Sequence, residues 1–124
     1  MESKGLVLME KVEGILQNEL GSYEIEDDNG LIFKAFVENN VVNLFLTTDR
    51  DVSDDEYNEF YDLYNIEALE LEGYEVEEVE EEYNPVWCIK FDFDNDHLKT
   101  QERLTEVLEF HTNEIERINS ILKQ

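Results

Sequence analysis

Carboxylate side chains dominate the middle third of this sequence. Between Arg50 and Lys90 lie 39 residues without any lysine or arginine, and 15 of them are Asp or Glu. Such a run usually forms a solvated surface, but it also suits a surface that docks a basic partner and imitates the phosphates of a nucleic acid. The predicted partner surface comprises Asp54, Asp55, Glu59, Glu75, Glu77, Glu78, Glu80, Glu81 and Glu82.

Two short acidic runs have the ligand spacing with which a calcium-binding loop begins. In 92–103, aspartates occupy the first, third and fifth positions, but His97 stands where the loop needs glycine and Arg103 where it needs glutamate. The run 49–60 fails at the same two positions. We therefore interpret both runs as strand ends and helix caps, and we predict no metal site and no cofactor.

No catalytic residue can be assigned from the sequence. His97 and His111 would stand roughly 21 Å apart along one helix, too far to share a metal within one chain. Cys88 lies in an alternating strand pattern, where a buried thiol is inert. The sequence contains no GxSxG elbow, no glycine-rich phosphate loop, no HExxH and no paired CxxC. A non-enzymatic protein is therefore favoured over an enzyme.

A long amphipathic helix is predicted from about Asp96 to Leu122, because apolar residues recur there in alternating steps of three and four. It would be roughly 40 Å long and needs a large apolar surface, either a sheet of the same chain or the helix of a second copy. In a dimer, two copies of His111 would approach each other and weaken the contact on protonation. The candidate dimer seam comprises Leu104, Leu108, His111, Ile115, Ile118 and Leu122.

The first half of the sequence contains four strand-like runs. Alternating or apolar stretches between residues 6 and 47 are separated by turn residues at 27–30, which include Asn-Gly, and at 39–40. These turns connect successive runs, so the first half is predicted to be a four-strand antiparallel meander.

The second half adds a short helix and a further hairpin. Ser53 and Glu56 form a capping-box sequence ahead of an aromatic face, which predicts a helix over about 54–65. Alternation predicts an edge strand at 74–82 and a core strand at 86–93. The predicted fold class is α+β: an antiparallel sheet, made of the meander and the hairpin, with the short aromatic helix and the long C-terminal helix packed on it.

Composition favours one acidic domain over residues 1–124. The chain has 33 acidic and 9 basic residues, a net charge of -24, and such a field repels nucleic acids and anionic membranes. We therefore predict neither as a partner. The lone Cys88 fits a reducing compartment, and residues 1–10 lack the basic leader and apolar stretch of a secretion signal. A cytoplasmic location is predicted.

Three segments resemble an uncharacterised family of small acidic bacterial proteins. They are LVLME at 6–10, ELGSYE at 19–24 and EYNPVW at 82–87. The resemblance extends over most of the chain and implies a bacterial, cytoplasmic origin. The family it points to has no assigned activity, so no functional residue is carried over from it.

These observations predict a non-enzymatic interaction protein. Its acidic middle third would dock a basic partner, and its C-terminal helix would join two copies into a homodimer. The alternative is a domain that responds to a small ligand or a divalent metal, or an enzyme with a pocket between helix and sheet. Docking through the acidic surface should depend steeply on salt, whereas binding in a pocket should not.

Overall fold

A six-strand sheet with three helices forms the chain in the computed structural model, which describes residues 4–25, 27 and 30–123. The predicted α+β class is confirmed. In chain order the elements are β1 (Lys4–Val12), β2 (Ile15–Ile25), β3 (Ile32–Glu38), β4 (Val41–Thr47), α1 (Asp54–Leu63), α2 (Ile66–Leu71), β5 (Glu75–Val79), β6 (Val86–Asp92) and α3 (His97–Leu122).

The strands are ordered β2-β1-β3-β4-β6-β5, so the predicted meander is wrong. Strand β1 lies between β2 and β3 and is parallel to β3 at the pair Glu10 and Val37, while the other neighbours are antiparallel. A turn sequence specifies a local change of direction, whereas the choice of neighbouring strand depends on how apolar faces pack together. The predicted later hairpin, β5 and β6, is confirmed, with β5 at the edge of the sheet.

Turn residues with positive φ angles join the paired strands. Asn39 and Asn40, with φ of 52° and 66°, connect β3 to β4 as predicted.

Within the segment between β2 and β3, the Asp27 carboxylate accepts hydrogen bonds from the backbone N–H groups of Leu31 at 2.6 Å and Ile32 at 3.0 Å. The Asp28 and Asn29 part of the predicted 27–30 turn lies outside the described residues. Asp27 therefore fixes the start of β3.

Helix α3 is anchored to β2 at its first residue. The His97 ring stacks on the Tyr23 ring with centroids 4.6 Å apart, and its Nε2 donates to the Ser22 carbonyl at 2.8 Å. Tyr23 in turn lies across Gly21, where an added Cβ would come within 2.8 Å of the tyrosine hydroxyl.

No helix in the described ranges is both long enough and apolar enough to cross a membrane.

The core lies between one face of the sheet and the three helices. Trp87 of β6 is fully buried there against aromatic rings, among them Tyr64, directly after α1, at 4.3 Å and His111 of α3 at 5.5 Å between ring centroids. Because α1, α2 and α3 all contribute buried side chains to this core, they cover the same face of the sheet.

The apolar stripe of α3 is part of this core. Five of the six residues of the candidate seam, all except Leu122, are buried within the chain, and Leu122 is partly buried against the core. A seam between two copies along this stripe would require the helix to leave the sheet. The apolar surface that the long helix needs is therefore supplied by its own sheet, and the stripe is not available as a dimer seam in this fold.

Candidate functional site

Helix α1 begins at the predicted capping box. The Ser53 hydroxyl accepts the Glu56 N–H at 3.2 Å, and the Glu56 carboxylate accepts the Ser53 N–H at 3.0 Å. Arg50 donates two more bonds to that carboxylate, at 3.1 and 3.0 Å. The Arg50 guanidinium, assisted by the Ser53 N–H, lowers the pKa of Glu56 to about 2. Glu56 is thus paired within the chain and does not contribute to a surface for a partner.

Two tyrosines of α1 hold the β5–β6 hairpin against the helix. The Tyr61 hydroxyl donates to the Val79 carbonyl at 2.8 Å and accepts the Val86 N–H at 3.0 Å. The Tyr57 hydroxyl donates to the Glu80 carbonyl at 3.0 Å. Burial raises the pKa of Tyr61, so its phenol keeps the proton that it donates. These bonds join the acidic helix to the acidic hairpin.

Most of the predicted partner surface lies on these two joined elements. The members on α1 are exposed, as are those on the hairpin except Glu82, which is partly buried. Asp62 belongs to the same group, because it follows Asp55 and Glu59 at helical spacing on the outer side of α1. We call this group the acidic surface; it comprises Asp54, Asp55, Glu59, Asp62, Glu78, Glu80, Glu81 and Glu82.

Glu75 and Glu77 are not brought into the acidic surface. Each lies directly opposite a residue of β6, Glu75 opposite Lys90 and Glu77 opposite Cys88, and both therefore point away from the core side of the sheet. Glu77 also forms an ion pair with Lys90 at 3.1 Å. The sequence prediction grouped all β5 acids together, although alternation along a strand sends them to two faces.

Glu78 is the point at which the acidic surface is most crowded. It lies opposite Trp87, on the face that α1 covers. Although Glu78 is exposed, neighbouring protein atoms displace part of the water around its carboxyl and raise its pKa, and the negative charges of Glu80 and Asp62 raise it further. Asp62 was absent from the predicted set, although its spacing from Glu59 could have identified it. Helix α1 and the β5–β6 hairpin thus bring three negative charges close together.

The two acidic runs with calcium-loop spacing act mainly as backbone caps. Asp94 accepts the Asp96 N–H at 2.7 Å, and Asp96 accepts the Leu98 N–H at 3.0 Å as the N-cap of α3. In the other run, Asp51 accepts the side-chain amide of Asn84 at 2.9 Å. Within the described parts of the chain, no three His, Cys, Asp or Glu side chains are placed to hold a metal ion.

His111 is a core residue. A carbonyl can only accept, so Nε2 donates to the Thr47 carbonyl at 2.7 Å and Nδ1 accepts the Tyr64 hydroxyl at 2.8 Å. Burial lowers the pKa of His111 to about 4 despite the Thr47 carbonyl, which acts in the opposite direction. The imidazole is therefore neutral at pH 7, and both of its nitrogens are occupied.

A groove of about 770 Å³ lies between the first half of α3 and the end of β6. Lys99 and Arg103 of α3 line one side, Phe91 and Phe93 another, and Glu72 reaches it from the turn after α2. The Arg103 guanidinium is held 5.4 Å from the centre of the Tyr74 ring. This space has the position of the helix and sheet pocket in the alternative prediction.

A family model matches the whole chain. It is described as a family of unknown function, DUF6762, and the match covers residues 1–124. The chain belongs to this family. Membership in DUF6762 confirms the predicted resemblance to an uncharacterised family and gives no activity. No curated protein and no solved structure matches the chain.

Proposed function

We propose that this DUF6762 protein is a non-enzymatic binding protein whose acidic surface docks a basic segment of another protein. The observation that carries the proposal is the crowding of Asp62, Glu78 and Glu80 from adjoining elements. In the part of the chain that the structure describes, no residue of the acidic surface forms a salt bridge. The salt bridges found there join Arg50 to Glu56, Lys90 to Glu77 and Arg117 to Glu114.

A basic segment would relieve the repulsion at this surface. A lysine or arginine near Glu78 favours its charged form, so binding would lower the pKa of this carboxyl. Each exposed ion pair contributes only about 0.2–1 kcal/mol, so several must form together. The net charge of -24 adds long-range attraction for cations. Binding of this kind weakens steeply as salt rises.

Titration with an oligolysine peptide of about ten residues tests the proposal, with affinity followed at low salt and at roughly 0.5 M salt. The test variant is the triple substitution Asp62→Asn, Glu78→Gln and Glu80→Gln. We expect it to weaken binding at low salt at least tenfold more than a control variant with the same loss of charge. The control changes Glu102, Glu109 and Glu116 of α3 to Gln, all of which are exposed.

Equal weakening in the two triple variants would show that only net charge matters and would contradict the proposal. Binding that is insensitive to salt would also contradict it. A change in the pKa of Glu78 on peptide binding, followed by NMR of its side chain, provides a readout that does not depend on affinity. We expect this pKa to fall.

We also propose that the protein works in the cytoplasm. Cys88 is buried and carries a free thiol. Burial raises the pKa of this thiol to about 11, which keeps it in the unreactive protonated form. A lone, protected thiol is consistent with a reducing compartment. Fractionation of the native cells with an antibody to the chain would test this location.

A further inference from the structure

Strand β5 forms one edge of the described sheet, with β6 as its single neighbour. At one end of their ladder, the Tyr61 hydroxyl lies between the Val79 carbonyl, to which it donates at 2.8 Å, and the Val86 N–H, from which it accepts at 3.0 Å. The Val79 carbonyl therefore points towards β6. In an antiparallel ladder the N–H of a residue points to the same side as its carbonyl, so the direction of every backbone group along β5 follows.

The backbone groups of Val76 and Glu78 point away from β6. Successive residues of a strand turn their N–H and C=O groups to opposite sides, so residues 75, 77 and 79 face β6 and residues 76 and 78 do not. Tyr74 follows the same alternation, because its N–H donates to the Leu69 carbonyl of α2 at 3.1 Å. Outside the β5–β6 ladder, the N–H and C=O groups of Val76 and Glu78 form no hydrogen bond in the described part of the chain. This edge thus offers two donors and two acceptors to an additional strand.

The other edge of the sheet, β2, is less suitable for an additional strand. Its ladder with β1 shifts register after Leu8 and again after Glu10 of β1. Such bulges distort the row of backbone groups and protect an edge from pairing. Strand β5 instead pairs with β6 at consecutive positions from Glu75 to Val79 without a shift. Of the two edges, β5 is therefore the one that an additional strand can follow.

Carboxylates line β5 on both faces of the sheet. Glu75 and Glu77 are exposed on the face away from the helices, and Glu78 is exposed on the helix side, next to the acidic surface. The Lys90 ammonium of β6 is bound to Glu77 at 3.1 Å. Neither Glu75 nor Glu78 forms a salt bridge within the described ranges. An additional strand would therefore meet unpaired negative charge on both of its faces.

A second copy of β5 does not fit this edge. The strand reads EVEEV, so every antiparallel register that overlaps two copies by three or more residues sets at least one glutamate directly opposite another. Like charges that face each other in this way destabilise a strand pair. The carboxylates thus protect the edge from copies of the same chain and leave it open to a strand of opposite charge.

Building on the docking function proposed above, on which this inference rests, we propose that the basic segment binds as an additional β-strand along the free edge of β5. Its side chains opposite Glu75 lie on the face away from the helices, and those opposite Val76 and Glu78 lie on the helix side. The edge therefore fits an extended segment with lysines or arginines three positions apart, opposite Glu75 and Glu78, and a β-branched residue opposite Val76. In this mode of recognition, main-chain hydrogen bonds give affinity and the alternating side chains give specificity.

A peptide of about ten residues that repeats Lys-Thr-Val and ends in lysine matches this pattern and is the probe. Its control is the same peptide with every backbone nitrogen methylated, which keeps the lysine charges and removes the N–H donors. We expect methylation to raise the Kd for the wild-type chain at least tenfold. The dependence of binding on salt should remain in both peptides, because it reports the charges alone.

Hydrogen exchange gives a readout at the proposed edge itself. On saturation with the unmethylated peptide, exchange of the Val76 and Glu78 amides should slow at least tenfold, because these N–H groups gain a partner. The Glu75 and Glu77 amides already face β6 and should change little. They serve as controls within the same strand.

Glu75→Gln separates strand addition from docking on the acidic surface. Glu75 lies outside the acidic surface, so only a strand along β5 brings a basic residue against it. We expect this variant to weaken binding of the unmethylated peptide at least threefold more than Glu109→Gln, which removes an exposed glutamate of α3. Circular dichroism should show wild-type folding in both variants.

Equal Kd values for the two peptides, together with unchanged exchange at Val76 and Glu78, would overturn strand addition. Docking of a basic segment would still stand in that case if the triple variant of Asp62, Glu78 and Glu80 weakened oligolysine binding more than its control. Equal weakening in the two triple variants would overturn the docking function and, with it, the strand addition that rests on it.

Discussion

The Nδ1 atom of His111 lies 2.8 Å from the hydroxyl oxygen of Tyr64, and this bond joins the middle of α3 to the residue that ends α1. Burial raises the pKa of Tyr64 well above its usual value, so the phenol is the donor. The imidazole must stay neutral so that its Nδ1 can accept this hydrogen bond. A neutral histidine locked between two helices and a strand makes the stability of the fold depend on pH.

The stability of the protein should therefore fall as the pH falls from about 6.5 towards about 4. Burial lowers the folded-state pKa of His111 to about 4, below its unfolded value near 6.5, so only the unfolded chain takes up the proton in this range. The histidine should contribute a loss of roughly 2 kcal/mol between pH 7 and pH 5. Urea unfolding at the two pH values measures it.

The control for this prediction is His111→Gln. A glutamine can donate to the Thr47 carbonyl and accept from Tyr64, but it does not titrate. The pH dependence of unfolding should be shallower in this variant by the histidine contribution. If the free energy of unfolding changed equally with pH in the wild type and in His111→Gln, His111 would not be the group responsible for the pH dependence.

Ile118→Ala should destabilise the single chain. The side chain is fully buried against the sheet, so its truncation leaves a cavity and costs about 2–5 kcal/mol. Ile121→Ala, at a residue that is 40% exposed, should cost much less. Chemical unfolding at two protein concentrations checks the result. If the cost of Ile118→Ala depended on concentration, the stripe of α3 would be acting between copies.

Tyr61→Phe should loosen the hairpin from α1. The lost hydroxyl leaves the partly buried Val86 N–H and Val79 carbonyl without their partner, which costs about 1–3 kcal/mol. Tyr83→Phe removes the same atom from an exposed ring and should be nearly neutral. Hydrogen exchange at the Val86 amide should accelerate only in Tyr61→Phe. Unchanged exchange there would contradict the described contact.

Ser53→Ala should weaken the start of α1. The variant removes the acceptor of the Glu56 N–H and should lower the free energy of unfolding by about 1 kcal/mol. Ser120→Ala, at an exposed position inside α3, should be neutral or slightly stabilising, because alanine is the better helix former. Thermal unfolding of both variants measures these changes in stability. Equal changes in Ser53→Ala and Ser120→Ala would contradict the role of Ser53 as the N-cap of α1.

Local signals in the sequence identified most of the elements. The Ser53 and Glu56 pair identified α1, alternation around Trp87 identified β6, and the stripe through Leu108 identified α3, because each depends on neighbours a few residues away. Seven of the eight residues of the acidic surface were in the predicted partner surface, and their role in docking stays a prediction. The residues of this surface are close in sequence, and the tyrosines that join them lie within the same stretch.

Long-range choices were not available from the sequence. Nothing local to 27–30 shows that the next strand pairs with β1 instead of β2. The position of Lys11 beside Phe36 depends on that choice, so this contact could not be predicted either. The stripe of α3 suited a sheet or a second helix equally well, and only the assembled fold shows which one covers it.

The place of β6 inside the sheet bears on how the chain is synthesised. The ladder between β4 and β6 joins residues from 39 apart, at Thr47 and Val86, to 51 apart, at Val41 and Asp92. During translation, the apolar edge of β4 is therefore exposed before its partner exists, and an unpaired edge of this kind promotes aggregation. The acidic stretch between them is synthesised before β6, and its negative charge opposes contacts between unfinished chains while that edge is unpaired.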